Sequence, residues 1–159
     1  MQNTQHSFKI SGETLPTQQI ISNLQLHGIN IFAAISPDVN WCNYSNWNRT
    51  KLLYKRHSPH IHLSAVSSDI GYDHHYLHSP HLIGGSAILT FGMWASKVIS
   101  VFHDPSGYGI YTATTLLGKN NKKLTFISAY ISVQKGTDYG YNSLHAQQLN
   151  IYMNGARLK

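Results

Sequence analysis

Four short β-prone stretches follow one another between Ser86 and Ile131, and their spacing restricts the fold more than any other feature. They are Ser86–Phe91, Val98–Phe102, Tyr108–Leu117 and Leu124–Ile131. Turn signals separate them at Gly92, at Asp104-Pro105-Ser106-Gly107 and at Gly118-Lys119-Asn120-Asn121. Links this short join antiparallel neighbours, because a parallel pair needs a crossover of a dozen or more residues. The second half is therefore expected to be mostly antiparallel sheet, its last two strands forming a hairpin.

The first half alternates. Thr14 suits an N-cap, Pro16 the first turn and Gly28 the C′ position, with Ile20, Ile21 and Leu24 on one helical side between them. Ile29 to Ile35 reads as a buried strand that Ser36-Pro37-Asp38 ends, since Pro37 has no N–H for a ladder. A loop with Trp41 and Trp47 follows. Arg49 to Arg56 reads as a helix with Leu52 and Leu53 inward and Arg49, Lys51, Lys55 and Arg56 outward. Ile61–Val66 reads as a strand, Ser67 to Ile83 as a His-rich loop, and a last helix starts near Asn142 or Ser143 and runs to Gly155. Residues 1–13 are polar and featureless, and 14–159 form one α/β domain, an α+β layered sandwich.

Composition narrows the chemistry. Leu, Ile, Val and Phe make up about a quarter of the 159 residues, above the level of disordered chains. No apolar run reaches the ~18 residues of a membrane span, and MQNTQHSFKI lacks the apolar region of a secretory signal, so a cytoplasmic or nuclear location with no membrane partner is expected. One cysteine, Cys42, leaves no intrachain disulfide and no four-cysteine zinc site. Glu13 is the only glutamate, and five aspartates join it. Mechanisms that need several clustered carboxylates are short of material, while the net charge of +6 is suited to an anionic partner.

The ordered segments resemble the endonuclease/exonuclease/phosphatase (DNase-I-like) superfamily, in its retroelement-type branch. HGINIFAAISPDVNW, ending at Trp41, is similar to the segment in which a strand delivers the metal-binding glutamate. Asn43 to Arg56 and Ser58-Pro59-His60-Ile61-His62-Leu63 follow the family's basic helix and Pro-His strand start. Gly84-Gly85-Ser86-Ala87-Ile88 resembles its Gly-Gly strand entry, Asp104 to Gly109 its Asp-Pro-Ser-Gly turn, and Lys123 to Tyr130 its Ile-Ser-Ala-Tyr strand, with Gln147-Gln148 in the helix after it. The likeness runs from about Gln19 to Gln148. It implies a two-sheet sandwich with outer helices, here a partial one, and Mg²⁺ as the cofactor of the intact family.

The functional positions depart from that pattern. Ser36 stands where the family has the Mg²⁺-ligating glutamate, Ile35 replaces the glutamine before it, and Ile110 replaces an arginine. A neutral hydroxyl does not substitute for an anionic Mg²⁺ ligand. Of the catalytic positions only Tyr130 is kept, as a vestige, and the later Asp-x-Asn and Asp-His strands have no counterpart up to Lys159. The resemblance thus implies a truncated, degenerate domain without phosphodiesterase activity of its own and without a metal.

Four uses remain open at the level of sequence. Arg49, Lys51, Lys55 and Arg56, with Trp47 and Tyr54 interleaved, form a face for DNA or RNA, or else the solvated side of a core-packing helix. A half sandwich would leave a sheet face for self-association or another chain, and the missing sequence would complete a Mg²⁺-dependent endonuclease. The histidines His57, His60 and His62, then His74, His75, His78 and His81, form a metal- or partner-binding module or a set of solvated loop residues. Asp104 beside His103 reads as a turn-initiating residue before Pro105.

Overall fold

The structure, a computed structural model, describes residues 15–35, 37, 39–67, 84–130 and 144–157. Three helices, α1 (Leu15–Leu26), α2 (Tyr44–Tyr54) and α3 (Leu144–Arg157), accompany six strands. These are β1 (Ile31–Ile35), β2 (Ile61–Val66), β3 (Ser86–Phe91), β4 (Val98–His103), β5 (Tyr111–Leu117) and β6 (Lys123–Ala129). They form two three-stranded antiparallel sheets in the orders β1-β3-β2 and β4-β5-β6.

The sheets face each other, with β3 and β5 central and almost wholly buried. Side-chain alternation then assigns the faces. Leu63 and Ala65 of β2, Ala87, Leu89 and Phe91 of β3 and Ala34 of β1 point away from the second sheet and pack with Ile21 and Leu24 of α1 and Tyr54 of α2. The other face of β3, carrying Ser86, Ile88 and Thr90, looks toward the second sheet. Thr114 there donates to the Ser64 hydroxyl at 2.9 Å, and Ser128 donates to the Ala34 carbonyl at 3.1 Å. On the far side of the second sheet, Tyr152 of α3 meets the Tyr111 ring edge-on at 6.4 Å between centroids.

α2 and β5 depart most from their expected extents, and β1 begins at Ile31 rather than Ile29. α2 begins at Tyr44 rather than Arg49, because Asn43 caps it, its side chain accepting from the Ser45 N–H at 3.0 Å. The buried stripe of α2 is Asn46, Thr50 and Tyr54, so Leu52 points outward at 63% exposure, correcting its expected inward placement. Asn46 donates to the Asn40 carbonyl and Thr50 to the Asn46 carbonyl, which makes their burial tolerable. β5 starts at Tyr111, not Tyr108, because Asp104 holds the preceding residues in a turn.

Candidate functional site

At one rim of the sandwich the end of β1, the end of β2, the start of β3 and the end of β6 converge. Ile35 and Val66 both pair with Ser86, and the Tyr130 N–H donates to the Ile110 carbonyl at 2.7 Å. The Trp41 N–H donates to the Ser67 hydroxyl, which itself donates to the Val39 carbonyl, so the loop after β1 is fastened to the end of β2. Gly84 and Gly85 enter β3 with φ of +87° and +84°. A Cβ at Gly84 would lie 4.0 Å from the Tyr130 ring, so Tyr130 sits half-buried against this glycine. Ser36, directly after β1, lies outside the described residues.

The Asp104 turn borders the same rim. Its carboxylate, buried, accepts from the N–H and hydroxyl of Ser106 at 2.9 and 2.6 Å and from the Ile110 N–H at 3.0 Å. This is the turn-forming role expected from the sequence. Asp104 is also the only acidic side chain among the described residues, and its oxygens are taken up by these donors. The described donor set therefore does not fit Mg²⁺, which relies on available carboxylate charge.

The basic helix forms a second region. Around its axis Tyr44, Asn48, Leu52 and Lys55 follow at i, i+4, i+8 and i+11, giving one outward stripe. Lys51 borders this stripe on one side and Arg49 on the other, with Arg56 just past the end. Arg49, Lys55 and Arg56 are exposed, and Lys51 is half-buried with its Nζ 5.7 Å from the Trp47 ring centre. The four cations thus wrap the helix rather than forming a single row. The interleaved aromatics are also corrected. Tyr54 is fully buried, stacked between Phe32 and Phe91, and Trp47 is half-buried edge-on to Trp41. Tyr44, 76% exposed, is the accessible ring. Reading the helix back to the Asn43 cap would have found it.

The histidines separate. His57 Nε2 lies 2.8 Å from the Ile29 carbonyl and its ring stands edge-on to Phe91, so it is a packing residue. His60 is exposed at the start of β2, and His62 Nδ1 lies 3.4 Å from the Ser64 hydroxyl. His74, His75, His78 and His81 lie outside the described residues. Among the described residues no three His, Cys, Asp or Glu side chains gather in a way that would hold a metal, and no helix is long and apolar enough to cross a membrane.

Two imidazoles carry a pH dependence. Lost hydration, and then the Lys51 ammonium, hold His62 below its ordinary value, and lost hydration does the same to His103, whose Nδ1 is 2.9 Å from the Thr112 hydroxyl. The unfolded chain keeps the ordinary value of about 6.5 and so binds more protons between that pH and the lower folded values. Stability is therefore constant in these two groups above about pH 6.5 and falls as the pH is lowered through that window. A melting temperature followed from pH 7.5 to pH 5 should drop, and the drop should be shallower in a His62→Gln/His103→Gln double variant. An equal drop in both proteins would remove these two groups as its source.

No protein-family model, curated protein or solved structure matches this chain.

Proposed function

We propose that this chain is a DNase-I-like domain lacking phosphodiesterase activity, and that it associates with nucleic acid through the outward side of α2. The observation that carries the binding part is the accessible Tyr44 ring on the same helix as the exposed Arg49, Lys55 and Arg56. Cations that neutralise phosphates supply sequence-independent affinity, and an exposed ring offers a base a stacking platform. That pairing favours a single strand, DNA or RNA, whose bases are free to stack. The paired sheets with helices outside them, and the meeting of Tyr130, Gly84 and the end of β1 at one rim, support the family part. The loss of activity follows from Ser36 at the glutamate position and from the engagement of Asp104 in its turn.

Fluorescence anisotropy with labelled single-stranded DNA and RNA tests the binding. A Lys51→Glu/Lys55→Glu variant should bind about tenfold or more weakly, with a salt slope shallower by roughly 1–2, since each neutralised phosphate contributes ~0.7 on a single strand. Unchanged affinity, or affinity insensitive to salt, would overturn it. Tag-free protein should leave supercoiled plasmid intact in Mg²⁺ and in Mn²⁺. Metal-dependent nicking that weakens in Tyr130→Phe would instead return the chain to the active endonucleases.

A second reading draws on the same rim: a piece of a Mg²⁺-dependent endonuclease that further sequence completes. It requires cleavage to emerge when that sequence is supplied together with Ser36→Glu.

A further inference from the structure

Among the described residues, β6 alone of the four strands at the sheet margins is long, regular and bare. β1 has five residues and runs into Pro37, and β2 shows no exposed residue. β4 carries an irregularity between Val98 and Ser100. β6 keeps unbroken register with β5 from Lys123 to Ala129, and most of its residues are exposed, among them Leu124 at 50% and Ile127 at 41%. Among the described residues nothing bonds to its opposite side.

The direction of its amides follows from its ends. The Tyr130 N–H and the Lys122 carbonyl both bond toward β5, to Ile110 and Gly118. In an antiparallel pair these groups alternate, so Leu124, Phe126 and Ser128 also bond toward β5, whereas Lys123, Thr125, Ile127 and Ala129 present N–H and C=O to solvent. Soluble proteins usually protect such an edge with a proline, a bulge, an inward charge or a cover. Among the described residues only Lys123, at one end, does so. The segment KLTFISA is otherwise rich in residues that favour strands.

We infer that the free edge of β6 is an interface for a second copy of this chain, the two β6 strands pairing antiparallel about a twofold axis at Phe126. The argument is self-complementarity. In this register Thr125 meets the copy's Ile127 and Lys123 meets its Ala129, so every outward-bonding residue faces another. Phe126 meets its own copy at a non-hydrogen-bonded position, where side chains approach most closely, and Leu124 meets Ser128. The two Lys123 side chains lie at opposite ends, so like charges are not opposed. Each copy has one such edge, so the pairing closes at two and makes one six-stranded sheet from both meanders.

Sedimentation equilibrium of the full chain over micromolar to several hundred micromolar concentration tests this. The weight-average mass should rise from 17.9 kDa toward twice that value. Thr125→Pro removes an outward-facing N–H together with the Thr125–Thr115 hydroxyl contact of 2.9 Å, and leaves the backbone β5–β6 ladder intact. Ile127→Lys places a charge diagonal to its own copy and to the copy's Lys123. Each variant, shown to be folded by circular dichroism, should raise the dimer dissociation constant about tenfold or more, the second variant guarding against misfolding of the first. A monomer throughout the range, growth past two copies, or a dimer equally strong in both variants would each overturn the assignment.

Discussion

Phe91→Ala is expected to lower the unfolding free energy by about 3–5 kcal/mol, the range for deleting a large ring from a core that collapses only partly. Phe91 ends the central strand β3 with no exposed surface, and its ring touches side chains fixed from separate elements. The Tyr54 ring lies 6.2 Å away between centroids and is itself stacked on Phe32 of β1, while the His57 ring stands edge-on at 4.5 Å. His57 is in turn held at the Ile29 carbonyl, and the Phe91 N–H donates to the Asn30 carbonyl. Neighbours tied down in this way do not move far into a void. Urea denaturation should show the midpoint falling with little change in slope. Phe91→Leu, which keeps most of the volume, should recover more than half of the loss. A Phe91→Ala cost under about 1 kcal/mol would mean that the site collapses freely, contrary to this packing.

Gly85→Ala is expected to cost about 2–4 kcal/mol, from a strained backbone conformation and a collision together. At φ +84° an L residue is disfavoured, and its Cβ would stand 2.5 Å from the Val66 carbonyl oxygen. That oxygen belongs to the end of β2, paired with Ser86, and is not the tip of a flexible side chain. Relief therefore requires β2 or β3 to shift at the rim where Tyr130 sits. Gly28→Ala is the matched control: φ there is +58°, but nothing lies within 4 Å of the added Cβ. It should cost about 1 kcal/mol, the conformational part alone. Equal losses in both variants would show that the Val66 collision contributes nothing.

The strands were largely legible because their signals are local. Ile61–Val66 and Ser86–Phe91 have the bounds their apolar runs imply, and the turn at Asp104 follows from its own Asx chemistry. α2 was read only in part. Its buried stripe is Asn46, Thr50 and Tyr54, two of them polar, and hydrophobic periodicity registers apolar spacing rather than polar groups whose partners lie elsewhere in the chain. The Asn40 carbonyl that accepts from Asn46 is such a partner. The same limit moved the accessible ring from Tyr54 to Tyr44 and turned Leu52 outward. The bare edge of β6 was not legible at all, since which strand lies at a margin is a property of the assembled sheet.

The layer between the two sheets has a mechanical consequence. Its hydroxyls include Ser64, Ser86, Thr90, Thr112 and Thr114, all buried, and those of Ser86 and Thr90 have no hydrogen-bond partner among the described residues. Ile88 and Leu116 are fully buried apolar side chains of this layer, but the larger apolar cluster lies on the other side of the first sheet, beneath α1 and α2. Cohesion across the middle of the molecule is accordingly weaker than cohesion within its helix-backed half. Under thermal or chemical stress the chain would part along this plane first, with the β4–β6 meander peeling away as one cooperative unit while β3 keeps its amide protons longest.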